Sequence, residues 1–225
     1  MEIPQILYED NHLLVVNKPT GLLVQGDKTG DSCLLDVMKA HIKKRDNKPG
    51  QVFLGLPHRL DRPTSGVVVL AKTTKALSRL SAAFRDRTVD KVYWAVVGAP
   101  LPEMEGELVH WLRKDGRTNT SRSVKAEAPG AKKARLRYKV LHASERYYLV
   151  EILLLTGRHH QIRAQLSASG CPIKGDLKYG FKRSDPGGGI HLHARSLAFP
   201  HPTKKEKICV EAPVPSSGVW GIFPC

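Results

Sequence analysis

The sequence is poor in the features that mark secreted, membrane-spanning and zinc-binding proteins. Its 225 residues include only four cysteines, and no two of them form a C-x-x-C pair. Neither a disulfide framework nor a zinc site is therefore indicated. No apolar run approaches the roughly 18–20 residues that a membrane span requires, and the first residues lack the basic and apolar regions of a signal peptide. We expect a cytoplasmic protein.

Acidic residues are scarce relative to basic ones. The chain has 36 Lys and Arg against 21 Asp and Glu, a net charge of +15. Such an excess predicts a polyanionic partner, nucleic acid before membrane, because no basic amphipathic helix is evident. Residues 113–139 hold ten basic residues and two acids, a net of +8. This basic stretch is either a solvated surface or a loop or hairpin that follows a phosphate backbone.

Strand-forming runs outnumber helical patterns, and they follow one another along the chain. Apolar and β-branched runs predict strands at 13–19, 67–71, 91–97, 106–112, 134–142, 147–155, 190–194, 197–199 and 206–211. Helical spacing predicts helices after Asp31 and Ser32, after Thr73 or Thr74, and between Gly157 and Gly170. This order predicts an α+β fold around a mixed, largely antiparallel β-sheet with flanking helices. Without repeats or a long linker, we expect one domain over residues 1–225.

The first chemical cluster is His58-Arg59-Leu60-Asp61-Arg62-Pro63-Thr64-Ser65-Gly66, which leads directly into the apolar run Val67–Leu70. Pro63 and Gly66 are expected to bend the chain just before this strand. Asp61 stands between two arginines, which favour its ionised form even where it is partly desolvated. Taken alone, the cluster is better explained as a charged turn in which Asp61 caps backbone amides.

The second cluster is the basic and amide-bearing stretch Thr156–Arg163. We expect it to occupy the first turn of a short helix, with Arg163 on one face and Ile162 and Leu166 in the core. A solvated basic helix is the simpler explanation for this cluster alone. Two such clusters, each at the end of an apolar strand and one containing an aspartate, together indicate a functional site.

Other catalytic patterns are weakly represented. Asp61 has no second carboxylate in a comparable cluster, and Ser65 lacks the G-x-S-x-G elbow of a hydrolase. His191 and His193, with His201, form the best metal candidate because alternate residues of a strand share a face. No carboxylate accompanies these histidines, so we expect no metal site.

Both clusters resemble the signature motifs of the RluA-type pseudouridine synthases, H-R-L-D-R-P-T-S-G at 58–66 and L-L-T-G-R-H-H-Q-I-R at 154–163. The likeness continues in the same order through V-V-N-K-P-T-G-L-L-V at 15–24, K-V-Y-W-A at 91–95, P-I-K-G-D at 172–176 and L-H-A-R-S-L-A-F-P-H-P at 192–202. The chain departs from the family pattern at Pro63, where the family often has an acidic residue, and at His159, a variable position. We expect no room before Ile6 for the small RNA-binding domain that many relatives carry.

The resemblance implies an RNA pseudouridine synthase that acts on rRNA or tRNA, without cofactor or metal, as a monomer. It implies that Asp61 is the nucleophile, a role that a carboxylate can fill without a metal. It also implies that Arg163 pairs with Asp61 and keeps it ionised. Tyr93 would stack on the target base and assist proton removal, and Arg59 would fill the space that the flipped uridine leaves.

The remaining substrate-binding candidates are basic and comprise Arg62, Arg158, Lys132, Lys133 and Arg135. Two other functions stay open. A non-catalytic RNA-binding or ribosome-associated protein would share the charge of the chain but would not need Asp61 and Arg163 together. A hydrolase that uses Asp61 and the histidines at 191–201 would depend on a metal.

Overall fold

Ten strands and three α-helices form most of the regular structure in the computed structural model, which describes residues 2–216 and 218–224. In chain order they are β1 (Gln5–Glu9), β2 (Leu13–Lys18), α1 (Leu34–Arg45), β3 (Ser65–Ala71), α2 (Thr74–Arg85), β4 (Asp90–Val97), β5 (Glu105–Asp115), β6 (Thr120–Val124), β7 (Lys132–Ala143), β8 (Tyr148–Leu154), α3 (Gln161–Ala168), β9 (Leu192–Pro200) and β10 (Lys207–Glu211). Short 3-10 helices cover Leu177–Tyr179 and Gly218–Ile222. None of the helices in these described ranges is long and apolar enough to cross a membrane.

Contacts within the chain divide it into two units. The first unit runs to Val89 and includes Ala194–Pro213, and the second spans Asp90–His193 and includes the described residues after Pro213. The first unit has the strand order β1-β2-β3-β9, with β10 paired to β9, and the second has the order β4-β8-β7-β5-β6. Pairings with described register are antiparallel. The predicted α+β class is therefore confirmed, whereas one domain over residues 1–225 stays a prediction.

The core of the first unit lies between its strands and α2. All seven residues of β3 are buried, as the apolar run predicted. The residues on one face of β3, Val67, Val69 and Ala71, pack with β2 against the inward face of α2. That face presents Ala76, Leu80 and Ala83. This helix begins where expected, because the Thr73 side chain accepts a hydrogen bond from the Ala76 amide at 3.2 Å.

The predicted start of α1 is wrong. The helix begins at Leu34, not directly after Asp31 and Ser32, and Cys33 at its N-cap makes no side-chain capping bond. Its first amides instead donate to a neighbouring segment, because the Leu34 amide lies 2.7 Å from the Leu23 carbonyl oxygen. A neighbouring backbone satisfies the orphan donors that a capping side chain would otherwise take.

In the second unit, α3 covers one face of the antiparallel strands. Ile162 and Leu166 pack on apolar residues of β7 and β8, including Leu136 and Ile152. The helix starts at Gln161, later than predicted, and Thr156–His160 forms a turn before it. The Gln161 side chain closes this turn, since its Oε1 accepts from Thr156 Oγ1 at 2.7 Å and from the Arg158 amide at 3.0 Å.

The strand predictions missed two strands and divided a third. The first half of the basic stretch forms a hairpin of β5 and β6, and its second half enters β7. The polar run Thr120–Val124 was not predicted as a strand. The half-buried edge strand β1 was also missed, because its burial alternates too weakly to give a clear period. The runs at 190–194 and 197–199 belong largely to one strand, β9.

Gly66 yields a test of the first unit. It lies inside β3, not before it, with φ of +112°, and a Cβ there would sit 2.3 Å from the Ala194 carbonyl oxygen. We predict that Gly66→Ala lowers the free energy of unfolding by roughly 2–4 kcal/mol, through backbone strain and overpacking. Urea denaturation measures this loss. Gly116→Ala, with nothing within 4 Å, is the control, and equal midpoints for the two variants would contradict the argument.

Candidate active site

The loop that carries Asp61 is fastened to the turn after β2. The Gly21 amide donates to the Arg62 carbonyl oxygen at 2.9 Å, and Arg62 Nε donates back to the Gly21 carbonyl oxygen at 3.0 Å. Thr20 Oγ1 donates to the Pro63 carbonyl oxygen at 2.8 Å. These bonds hold the two residues that follow Asp61 and so restrain the backbone of the loop that carries it.

Lys18 lies beneath this loop and is fully buried. Its Nζ donates to the carbonyl oxygens of Pro19 at 2.9 Å, Leu22 at 2.8 Å and Arg62 at 3.2 Å. Three donors therefore meet three acceptors. Burial lowers the pKa of Lys18 to about 7, while the charge of Asp61 acts to raise it. The buried ammonium ties the β2 turn to the Asp61 loop and places a cation near the carboxylate.

The side chains around Asp61 differ in their exposure and in their hydrogen bonds. Asp61 is half-buried, whereas Arg59 and Arg62 are exposed. Arg62 pairs with the exposed Asp31 at 2.9 Å. His58 is structural, because its Nε2 accepts from the Val69 amide at 3.0 Å. Arg59 and Arg62 are therefore the most exposed charged side chains of this cluster, and the half-buried Asp61 is also partly accessible.

Arg163 in the second unit is held by a residue that the sequence did not single out. Its Nε lies 2.7 Å from Asp176 Oδ2 and its Nη2 lies 2.9 Å from Asp176 Oδ1. Both side chains are at most 5% exposed, and such bidentate pairs fix orientation as well as charge. The Tyr179 ring lies under the guanidinium, 4.8 Å from its carbon. Asp176 and Tyr179 therefore position Arg163.

A hydrogen-bonded network extends this support from Tyr179. The Tyr179 hydroxyl accepts from the Ser121 amide at 2.8 Å and lies 2.9 Å from His160 Nδ1. Ser121 Oγ donates to the His159 carbonyl oxygen at 2.7 Å. All residues from Gln161 to Leu166 are buried. The simpler explanation of this helix as a solvated basic surface is therefore wrong.

Tyr93 lies on β4, on the sheet face that α3 covers. It pairs with Ile152 of β8 and is half-buried against the cluster that contains Ile162. The same face receives α3, the helix that carries Arg163. Tyr93 is thus partly exposed at the margin of this apolar cluster.

The basic candidates on β7 do not share one face. Lys133 and Arg135 are exposed and alternate with buried Ala134, so they project from the face opposite α3. Lys132 has the same parity as Ala134 and lies on the α3 side. Arg158 joins this region through its Nε, which donates to the Lys133 carbonyl oxygen at 3.0 Å. Arg135 pairs with Glu107 at 2.6 Å.

The three histidines of the metal candidate have separate environments. His201 Nε2 lies 2.7 Å from Asp10 Oδ2 in the first unit. His191 stacks on Trp220 in the second unit, and burial together with Lys174 lowers its pKa to about 4. His193 also contacts Trp220, edge to face. Within residues 2–216 and 218–224, no group of three His, Cys, Asp or Glu side chains is placed to hold a metal ion.

Lys18 gives a pH-dependent test of the buried ammonium. Its pKa is lowered on folding, so above pH 7 the folded state loses this proton while the unfolded state keeps it. The free energy of unfolding of the wild type, relative to Lys18→Met, should therefore rise with pH between 7 and 10, by up to about 1.4 kcal/mol per pH unit. Urea denaturation across this range measures it. Lys44→Met, at an exposed position of α1, should follow the wild type, and a flat difference for Lys18→Met would contradict the assignment.

Comparison with known proteins places these features in a family. The RNA pseudouridylate synthase family matches residues 12–168. Ribosomal large subunit pseudouridine synthase C of Vibrio parahaemolyticus is 35% identical over 94% of this chain, which spans 66% of that relative. An uncharacterised RNA pseudouridine synthase of Bacillus subtilis is 35% identical over 93% of this chain and 69% of its own length.

The fold has solved counterparts as well. The structure of human RNA pseudouridylate synthase domain containing 4 superposes with a TM-score of 0.78 at 29% identity, covering 94% of this chain and 88% of that one. The matched range contains both clusters, with Asp61 in the first unit and Arg163 in the second. The chain therefore belongs to the RNA pseudouridylate synthase family.

Proposed function

We propose that this chain is an RNA pseudouridine synthase that isomerises uridines in structured RNA, with ribosomal RNA as the first candidate substrate. The observation that carries the proposal is Asp61, a half-buried carboxylate on a loop anchored by a buried ammonium. Family membership, relatives named as large-subunit ribosomal pseudouridine synthases and a net charge of +15 support it. An RNA substrate favours a cytoplasmic location, and no second chain is needed to supply the proposed residues.

The reaction needs a nucleophile but no net oxidation or reduction. The bond between N1 of uracil and C1′ of ribose breaks, and a bond between C5 and C1′ replaces it. C5 loses its proton and N1 gains one, so substrate and product are isomers. Asp61 can supply the nucleophile as a carboxylate. The buried Lys18 side chain places its ammonium near this carboxylate.

Three further side chains complete the proposed mechanism. Arg163 acts as the ion-pair partner of Asp61, and its bidentate bond with Asp176 fixes its orientation beforehand. Tyr93 stacks on the target base and assists removal of the proton from C5. Arg59 is exposed, as a residue must be if it enters the stack that the flipped uridine leaves.

The basic candidates serve as phosphate contacts in this proposal. Arg62 and Arg158 lie within the two motif clusters, and Lys132 is on the α3 side of the second unit. Lys133 and Arg135 lie on the opposite face of the same sheet. An RNA that contacts both Lys132 and Lys133 or Arg135 would have to pass around the end of β7. We therefore assign Lys132, Arg158 and Arg62 to the RNA strand near the target uridine.

The decisive variant is Asp61→Asn. It is nearly isosteric and removes the nucleophilic carboxylate, so pseudouridine formation should fall by at least about 10⁴-fold while RNA affinity stays within about threefold. Single-turnover assays on an RNA that the wild type modifies measure the rate, and filter binding measures the affinity. Asp86→Asn, which removes a carboxylate at an exposed position after α2, is the control and should keep the wild-type rate. Comparable activity of both variants would eliminate Asp61 as the nucleophile.

A further inference from the structure

A cavity of about 530 Å³ lies in the second unit, at the far end of β4 from Tyr93. Its lining comes from the end of β4, the β7–β8 turn, the segment after α3 and the turn at 180–184. Gly98 in the lining is five residues beyond Tyr93, about 16 Å at the rise of an extended strand. The volume lies within the range of small-ligand sites. The cavity is therefore separate from Tyr93, the residue on which we propose that the target base stacks.

The charge of this cavity is strongly positive. Its lining contains four cationic side chains, Arg146, Lys174, Lys182 and Arg183, and no acidic one. Lys174 is neutralised by Asp185, whose Oδ1 lies 2.6 Å from Lys174 Nζ. The other three are exposed, and none of them has an ion-pair partner among the described residues. Three uncompensated cations around one concave site favour an anionic ligand.

Two aromatic rings, those of Phe181 and Tyr147, also line the cavity. Phe181 is half-buried and lies across Gly98, where a Cβ would come within 2.8 Å of the ring carbon Cε2. The absence of a side chain at Gly98 therefore allows the ring to reach this position. Tyr147 is also half-buried in the lining. A flat ring beside several cations suits a base that stacks and a phosphate that pairs.

The turn that bears Phe181 is the same one that holds Arg163. The Phe181 amide donates to the Asp176 carbonyl oxygen at 3.0 Å, while the Asp176 carboxylate grips Arg163. The Phe181 side of the cavity is thus attached to a segment that a buried ion pair holds in place. An ordered segment binds a ligand without an additional cost in loop entropy.

We infer that this cavity binds an unpaired nucleotide of the substrate RNA, with its base on Phe181 and its phosphate against Arg146 and Arg183. The choice of RNA as the source of the nucleotide rests on the proposed function. The site contributes to binding and to the selection of RNAs with an unpaired nucleotide at the correct distance. It takes no part in the chemical step, because none of its side chains belongs to the proposed catalytic set.

The test compares two variants on an RNA that the wild type modifies and that contains unpaired nucleotides beside the target. Arg146→Gln with Arg183→Gln removes two exposed charges, and Phe181→Leu removes the stacking ring. Each should raise the Kd about tenfold, with the single-turnover rate at saturating RNA within twofold of wild type. Lys43→Gln with Lys44→Gln makes the same charge change at exposed positions of α1 and should change the Kd less than twofold. Urea midpoints check that Phe181→Leu still folds.

A second RNA tests whether the cavity binds an unpaired base or only the phosphate backbone. On a fully paired duplex of equal length, Phe181→Leu should bind as the wild type does, because no base is available to stack. An equal loss on both RNAs, or no loss on either, would overturn the inference that the cavity takes an unpaired nucleotide. An inactive wild type that still binds RNA would count against the proposed function alone, since the affinity comparison does not depend on turnover.

Discussion

The buried ammonium of Lys18 is the interaction on which the Asp61 loop depends. A charge removed from water is costly unless its hydrogen bonds are replaced, and here three carbonyl oxygens replace them. One of these oxygens belongs to Arg62, the residue after Asp61. The same interaction therefore fastens the loop to the β2 turn and places a positive charge near the carboxylate. Loss of the Lys18 side chain would remove the donor of the buried hydrogen bond to the Leu22 carbonyl oxygen and would also remove a positive charge near Asp61.

In the second unit, the buried charge of Arg163 is stabilised by an ion pair. The Arg163–Asp176 pair is almost fully buried, and such pairs contribute more to orientation than to net stability. Tyr179 adds a ring under the guanidinium and a hydroxyl that accepts from the backbone of β6. Arg163 is thus held on two sides before any substrate binds. Preorganised charges of this kind need no reorganisation during a reaction, which is the general basis of electrostatic catalysis.

Local sequence patterns predicted the features that depend on neighbouring residues, such as the buried strand at Val67–Leu70 and the cap at Thr73. The resemblance to a family supplied the roles that we propose for the two clusters. The supporting residues were not predicted, because their partners lie far along the chain. Lys18 reaches a carbonyl 44 positions away, and the Tyr179 hydroxyl meets an amide 58 positions away. Periodicity and capping rules contain no information about such contacts.

The most direct test of the central claim follows the hydrogen at C5 of uridine. Ribosomal RNA from cells that lack this protein, labelled with tritium at C5, is incubated with the wild-type chain in excess, in the presence of a metal chelator. Because C5 becomes the glycosidic carbon, each isomerised uridine must release its tritium to water. The account predicts a release equal to the number of new pseudouridines, that is, those mapped after the incubation and absent before it. Tight RNA binding without tritium release would contradict it and would make the chain an RNA-binding protein without synthase activity on that RNA.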